Sequence, residues 1–386
     1  MSIGPTTTQF FTFGSPSEPF QLRSGAVLDE VTLAYETYGT LNEDRSNAVL
    51  LFHALTGSHH AAGITEQIPD TDDRWTEELR LGWWDNFIGP GRAIDTDRFF
   101  VICANYIGGC YGSTGPTSTD PRTGKPYGSS FPVVGFTDVV DSQIELLRHL
   151  GIERLHAVVG GSTGGVCAIS LATRFPDLVG TVIPIAAGSR PTPLQIIHNF
   201  EQINAIQNDP NFAGGDYYDS PPPTQGLRLA RMIGHKTFVS LEAMQRRARE
   251  EIVALGVGPG TYDIQHPMES YMWHQGRKFV DRFDANSYLR MMIAWQRFDL
   301  AAEAGVDDLS DLFTPCKHQR YMVFTIDSDV CFYPDEQAEL MRLLGLADVP
   351  ARRITVHSDK GHDSFLLEPA LYAPHLADTL LNEWTT

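Results

Sequence analysis

Cysteine is scarce in this sequence, and basic residues are outnumbered by acidic ones. The five cysteines (Cys103, Cys110, Cys167, Cys316, Cys331) are odd in number and show no C-x-x-C spacing. They read as free thiols rather than a disulfide framework, which predicts a reducing compartment and a cytoplasmic protein. Lys and Arg number 29 against 48 Asp and Glu, a formal net charge of −19. That balance argues against nucleic acid or an anionic membrane surface as partner, although an anionic cofactor could still meet a local basic patch. No run of eighteen apolar residues occurs, and Met1 to Phe20 lacks a basic region followed by an apolar stretch. Neither a membrane span nor a secretory signal is therefore predicted.

What the chain does have is a hydrophobic fraction of 42% over 386 residues, enough for a large core. Its organising stretch is Val158-Val159-Gly160-Gly161-Ser162-Thr163-Gly164-Gly165. A β-branched run (Ala157, Val158, Val159) leads in, and Val166 to Phe175 reads as a helix. Strand, sharp turn carrying Ser162, then helix is the setting of a G-x-S-x-G nucleophile elbow. The glycines fit that setting, because so tight a turn strains the backbone and brings the helix against the strand, where added Cβ atoms would clash. Cys167, just beyond, reads as helix packing.

Other segments supply the frame. Phe20-Gln21-Leu22, a Ser24-Gly25 turn and Val31 to Tyr38 alternate like an antiparallel pair. Asn47 to Phe52 and Phe99 to Ala104 are continuous apolar runs, as in buried parallel strands. Asp138 to Leu150 has helical spacing, and Val179 to Ala187 reads as a further strand. From Pro191 to about Ala304 the pattern turns helical, best at Gln195 to Gln207, Leu227 to Ile233, Leu241 to Leu255 and Ala285 to Ala304, with breaks at Pro221 to Pro223 and Gly256 to Gly260. Strands return at Arg320 to Ile326 and Arg353 to Val356. The prediction is an α/β domain with a mostly parallel doubly wound sheet, residues 1–187 and 305–386, interrupted by an all-helical lid, residues 188–304.

A serine hydroxyl needs a base, and the base needs a group to hold it. Loops after the last two predicted strands carry Asp327-Ser328-Asp329 and Lys360-Gly361-His362-Asp363. In chain order these predict Ser162 as nucleophile and His362 as base, with Asp329 or Asp327 as the orienting acid. The backbone N–H groups of Thr163 and of Leu55, in the loop His53-Ala54-Leu55-Thr56-Gly57, are the candidate oxyanion donors. His59-His60 has no partner at metal-ligand spacing and reads as a solvent-facing loop. Gly108 to Gly112 lacks the order of a phosphate loop, and Arg246-Arg247-Ala248-Arg249 reads as a solvated helix face. Serine acyl chemistry follows, with hydrolase and acyltransferase both open.

Longer motifs go further. They are Leu33 to Gly39, His53 to Gly57, Gly82 to Gly91, Ala93 to Phe100, Gly108 to Pro116, Gly226-Leu227 with Ala230 to His235, Arg282 to Leu289, and Gly361 to Glu368. In this order they resemble the homoserine O-acyltransferase family of the α/β-hydrolase superfamily. The resemblance implies a triad of Ser162, Asp329 and His362, with Asp329 preceding Phe332-Tyr333-Pro334. It implies a ping-pong transfer to L-homoserine from acetyl-CoA as co-substrate, in the methionine branch, with succinyl-CoA as the alternative donor, serine or another hydroxylated compound as the alternative acceptor, and no bound cofactor or metal. Arg231 matches the cap arginine that reads the amino acid's carboxylate, and Asp363 the aspartate that faces its ammonium. Such enzymes are commonly homodimers through the cap. The chain departs from the family at Thr163 (usually Met), Phe238 (usually Tyr), Thr137 (usually Arg) and Gln296-Arg297, where an acid and an aromatic are common. These positions bear on the acyl donor and the acceptor; an esterase or thioesterase on the same scaffold is the other class of activity.

Overall fold

The computed structural model describes residues 2–250, 262–382 and 384. Its centre is an eight-stranded sheet. In chain order the strands are β1 (Gln9–Phe13), β2 (Val31–Tyr38), β3 (Ala48–Phe52) and β4 (Phe100–Ala104). They continue with β5 (Leu155–Gly161), β6 (Val179–Ile185), β7 (Arg320–Ile326) and β8 (Ala351–Val356). Across the sheet the order is β1-β2-β4-β3-β5-β6-β7-β8. β1 and β2 pair antiparallel, as do β2 and β4, and the rest are parallel.

The continuous apolar runs have a simple cause. On β3, Leu50 and Phe52 enter the core on one face while Val49 and Leu51 enter the core on the other. On β5, Val158 and its neighbours Ala157 and Val159 divide the same way. A strand covered on both faces cannot alternate with polar residues.

Helices α1 (Phe136–His149) and α2 (Thr163–Arg174) follow β4 and β5 in the chain. Between β6 and β7 come α3 (Pro193–Gln207), α4 (Thr224–Phe238), α5 (Leu241–Glu250), α6 (Pro267–Arg282), α7 (Ala285–Arg297) and α8 (Leu300–Ala304). No strand lies among the described residues of that segment. After β7 and β8 come α9 (Pro334–Leu346), α10 (Ser364–Leu367) and α11 (Pro369–Leu381). No helix among the described residues is long and apolar enough to cross a membrane.

Several elements differ from expectation. Phe20–Gln21 pairs with Val27–Leu28, not with β2, because the turn closes on its own flanks: Leu22 N donates to Ala26 O and Gly25 N to Leu22 O, both at 2.9 Å. β2 pairs instead with β1, which the sequence pattern did not single out. The helix expected over Ala285 to Ala304 is two, since the Asp299 side chain accepts from Ala302 N and starts α8 afresh. α6 was not anticipated. The expected helix to Leu255 and the breaks at Gly256 to Gly260 lie partly or wholly outside the described residues.

Candidate active site

β5 ends at Gly161 and α2 begins at Thr163, leaving Ser162 alone between them with φ 60° and ψ −130°. That conformation is costly for a residue with a Cβ and persists only when its surroundings hold it. Here they do: Ser162 N donates to Ile185 O on β6 (2.9 Å), and Ser162 O accepts from Gly165 N (2.9 Å) and Val166 N (3.2 Å). A Cβ on Gly160 would sit 2.2 Å from Gly164 O, and one on Gly164 would sit 2.2 Å from Phe52 O. Only glycine allows α2 to cross the sheet that closely, which is the sequence argument in atomic form.

Beyond β7, Asp329 accepts at Oδ1 from Cys331 N (2.7 Å) and Phe332 N (2.9 Å). Its Oδ2 lies 2.6 Å from His362 Nδ1, so the ring donates to the carboxylate. Asp327 points elsewhere, to His357 Nδ1 (2.8 Å) and Ser358 N (3.1 Å). The imidazole is stacked on Phe332, centroids 5.5 Å apart, and meets Phe365 edge-on. Its Nε2 is buried and has no hydrogen-bond partner among the described residues. Burial pulls the His362 pKa down, but the charges of Asp329, Asp363 and Glu336 and the Asp329 hydrogen bond outweigh it and hold it above the ordinary histidine value. Ser162 and His362 line one cavity of about 230 Å³.

The loop after β3 forms another wall of that cavity, from Ala54 to Ser58. Gly57 N donates to Ala54 O (2.9 Å), and His53 Nδ1 donates to the same oxygen (2.7 Å). Burial lowers the His53 pKa to about 3, so its ring is neutral, and it stacks on Tyr106 at 3.7 Å. Leu55 lines the cavity, and Thr163, opposite, is buried.

The cap supplies a charged wall. Arg231 on α4 and Arg282 on α6 both line the cavity, as do Asp363, Glu78 and Phe238. The Arg231 guanidinium lies over Phe238 (5.2 Å) and Phe279 (4.9 Å) and has no ion pair within 4 Å among the described residues. Burial and the neighbouring Arg282 lower its pKa. Burial raises that of Asp363, opposed by His362 and Arg231.

The profile of the alpha/beta hydrolase fold matches residues 47–369. The homoserine O-acetyltransferase of Solidesulfovibrio magneticus is 42% identical over 372 residues, covering 96% of this chain and 91% of that protein. The homoserine O-succinyltransferase of Methylibium petroleiphilum is 43% identical over 96% of this chain and 92% of its own. Among solved structures, a homoserine O-acetyltransferase from Bacillus anthracis superposes with a TM-score of 0.87 at 25% identity, each chain covered fully. The chain belongs to the homoserine O-acyltransferase family of α/β hydrolases.

Two positions where the chain departs from the family pattern can now be placed. Phe238, in place of the usual tyrosine, faces the cavity with its ring 6.4 Å from that of His362. Thr163 is fully buried, and its hydroxyl has no partner among the described residues. Sequence reasoning about the residues missed Arg282, visible only as the first member of the family motif Arg282 to Leu289. It also misplaced His59-His60, which is not solvent-facing but buried. The reason is Glu36 on β2, itself buried. Glu36 Oε2 lies 2.9 Å from His60 Nδ1 and accepts from the Tyr38 hydroxyl at 2.8 Å. Tyr38 in turn accepts from Ala61 N (2.8 Å) and Ala62 N (3.1 Å), while Asp85 accepts from Gly63 N at 2.8 Å. No group of three or more His, Cys, Asp or Glu among the described residues could hold a metal ion. Arg246 is exposed and pairs with Asp359 (3.3 Å).

Proposed function

We propose that the protein moves an acetyl group from acetyl-CoA to the side-chain hydroxyl of L-homoserine through an acyl-Ser162 intermediate. The carrying observation is the Asp329–His362 pair beside the strained Ser162, in a cavity also lined by Arg231 and by the carboxylate of Asp363. His362 Nε2 takes the Ser162 proton as Oγ attacks the thioester carbon. The N–H groups of Leu55 and Thr163 receive the oxyanion. The C–S bond then breaks, and the proton passes to the departing thiolate. In the second half His362 takes the homoserine hydroxyl proton as that oxygen attacks the acyl carbon, the bond from that carbon to Ser162 Oγ breaks, and His362 returns the proton to Oγ.

Arg231 suits the acceptor's carboxylate and Asp363 its ammonium, since a fork of N–H donors matches a carboxylate and an acid matches a cation. Residues 188–304 act as a lid that excludes water and favours transfer over hydrolysis. A homodimer through this lid is supported by apolar side chains exposed on α3, α4 and α5, among them Ile197, Phe200, Leu229 and Leu241. Five buried free cysteines support a cytoplasmic setting. Relatives of both donor types support acetyl-CoA or succinyl-CoA as co-substrate.

The test is thiol release from acetyl-CoA and succinyl-CoA, with and without L-homoserine, with product mass recorded. Release that requires homoserine and yields O-acetylhomoserine is expected. Release without an acceptor would make the protein a thioesterase, and exclusive use of succinyl-CoA would change the donor.

A further inference from the structure

Arg282 ends α6 and reaches from the cap to the turn Ala54–Gly57. Its Nη1 donates to the Thr56 carbonyl (3.3 Å) and to the Tyr111 hydroxyl (3.2 Å). Tyr111 returns a hydrogen bond of 2.6 Å to the Arg282 carbonyl oxygen, so side chain and main chain are held by one phenol. Nε lies 3.6 Å from Glu78, which also pairs with Lys278 at 2.7 Å. The guanidinium rests 5.1 Å from the Phe279 ring. Its Nη1 donors and part of its charge are therefore engaged by protein. Arg231, on the same wall, has no ion pair among the described residues.

The group Arg282 holds is informative. Thr56 directly follows Leu55, and the turn it occupies is closed by Gly57 N to Ala54 O. Fixing the Thr56 carbonyl fixes the plane of a peptide in a four-residue turn, and with it the direction of the Leu55 N–H. We infer that Arg282 is a positioning residue for the oxyanion site: the cap, through this guanidinium, aims the Leu55 N–H at the acyl oxygen. The two cap arginines thus divide their work. Arg231 reads the acceptor, and Arg282 serves the acylation step that precedes it. The inference rests on the acyl-serine reading above.

The experiment is the pre-steady-state burst with p-nitrophenyl acetate, which acylates Ser162 without coenzyme A or acceptor, alongside the L-homoserine KM of the full reaction. Arg282→Met is expected to slow the burst about 10- to 100-fold, the range for a reacting geometry displaced by a fraction of an ångström to an ångström. Tyr111→Phe, which removes one of the two Nη1 acceptors, is expected to slow it less. The homoserine KM should stay within about twofold of wild type in both. Bursts at the wild-type rate in both variants would overturn the inference. So would a raised homoserine KM with an unchanged burst, which would make Arg282 an acceptor-binding group. If Arg282→Met does not fold by circular dichroism, Tyr111→Phe decides on the same criterion. A wild-type protein whose p-nitrophenol release is matched by that of Ser162→Ala would overturn the acyl-serine reading, and this inference with it, a result distinct from a burst indifferent to Arg282.

Discussion

The two sides of the cavity are built on different principles. On the sheet side, Ser162 is fixed by backbone: strand register, helix approach at glycine, and main-chain hydrogen bonds at Ile185, Gly165 and Val166. On the cap side, Arg231, Arg282 and Phe238 are long or bulky side chains carried on helices, held by ring faces and, for Arg282, by side-chain polar contacts to Thr56, Tyr111 and Glu78. Backbone packing tolerates almost no substitution, whereas a side chain on a helix can be exchanged without rebuilding the sheet. The contrast separates a side fixed by main-chain geometry from one that side-chain replacement can vary, with Arg282 the cap group that reaches across to the fixed side. Phe238 lies on the variable side, while Thr163, at the start of α2, varies within the fixed one.

The largest effect that would break this comparison is at Ser162 itself. Ser162→Ala is expected to abolish transfer, by at least about 10⁴-fold, with circular dichroism and thermal midpoint unchanged. Appreciable residual transfer would remove the covalent mechanism. Next comes Gly164→Ala, which forces a Cβ onto the Phe52 carbonyl; destabilisation of about 2–3 kcal/mol in urea titration is expected, with the acylation burst lost. A stable and fully active Gly164→Ala would mean the sheet side is not backbone-fixed. On the cap side, Arg231→Ala should raise the L-homoserine KM about 100-fold and leave the p-nitrophenyl acetate burst near wild type. An unmoved KM would show that the carboxylate is read elsewhere. The smallest change is Phe238→Tyr, which restores the family hydroxyl. A shift in homoserine kcat/KM of no more than about tenfold, worth one hydrogen bond, is expected with stability unaltered.

Much of the sheet side was legible in the sequence because its determinants are local. The Gly-Gly-Ser-Thr-Gly-Gly run announces the close approach, and continuous apolar strands announce burial on both faces. The choice of acid was not local: Asp327 and Asp329 are two residues apart, and only the turn to Cys331 and Phe332 aims one of them at His362. Burial of His59 and His60 was hidden for the same reason, since Glu36 lies in another strand. The missed helix α6 carried readable signals, with Pro267 in its first turn and a capping box of His266 and Glu269, but its mixed surface blurs the apolar stripe. Arg282 had no local mark at all. Its meaning depends on a turn more than two hundred residues earlier in the chain.

The hydrogen bonds from Ala61, Ala62 and Gly63 to Tyr38 and Asp85 bear on how the cavity opens. These amides belong to a loop, yet their acceptors are buried side chains, Tyr38 on β2 of the sheet and Asp85 in another loop. In hydrogen exchange they are expected to be protected like core amides, opening with the sheet rather than by local fraying. The segment that follows the Ala54–Gly57 turn is thus tied to the sheet through Tyr38. Traffic of substrates and products is expected to rely on movement of the helical side, which faster exchange of the α4 and α6 amides than of Ala61 to Gly63 would show.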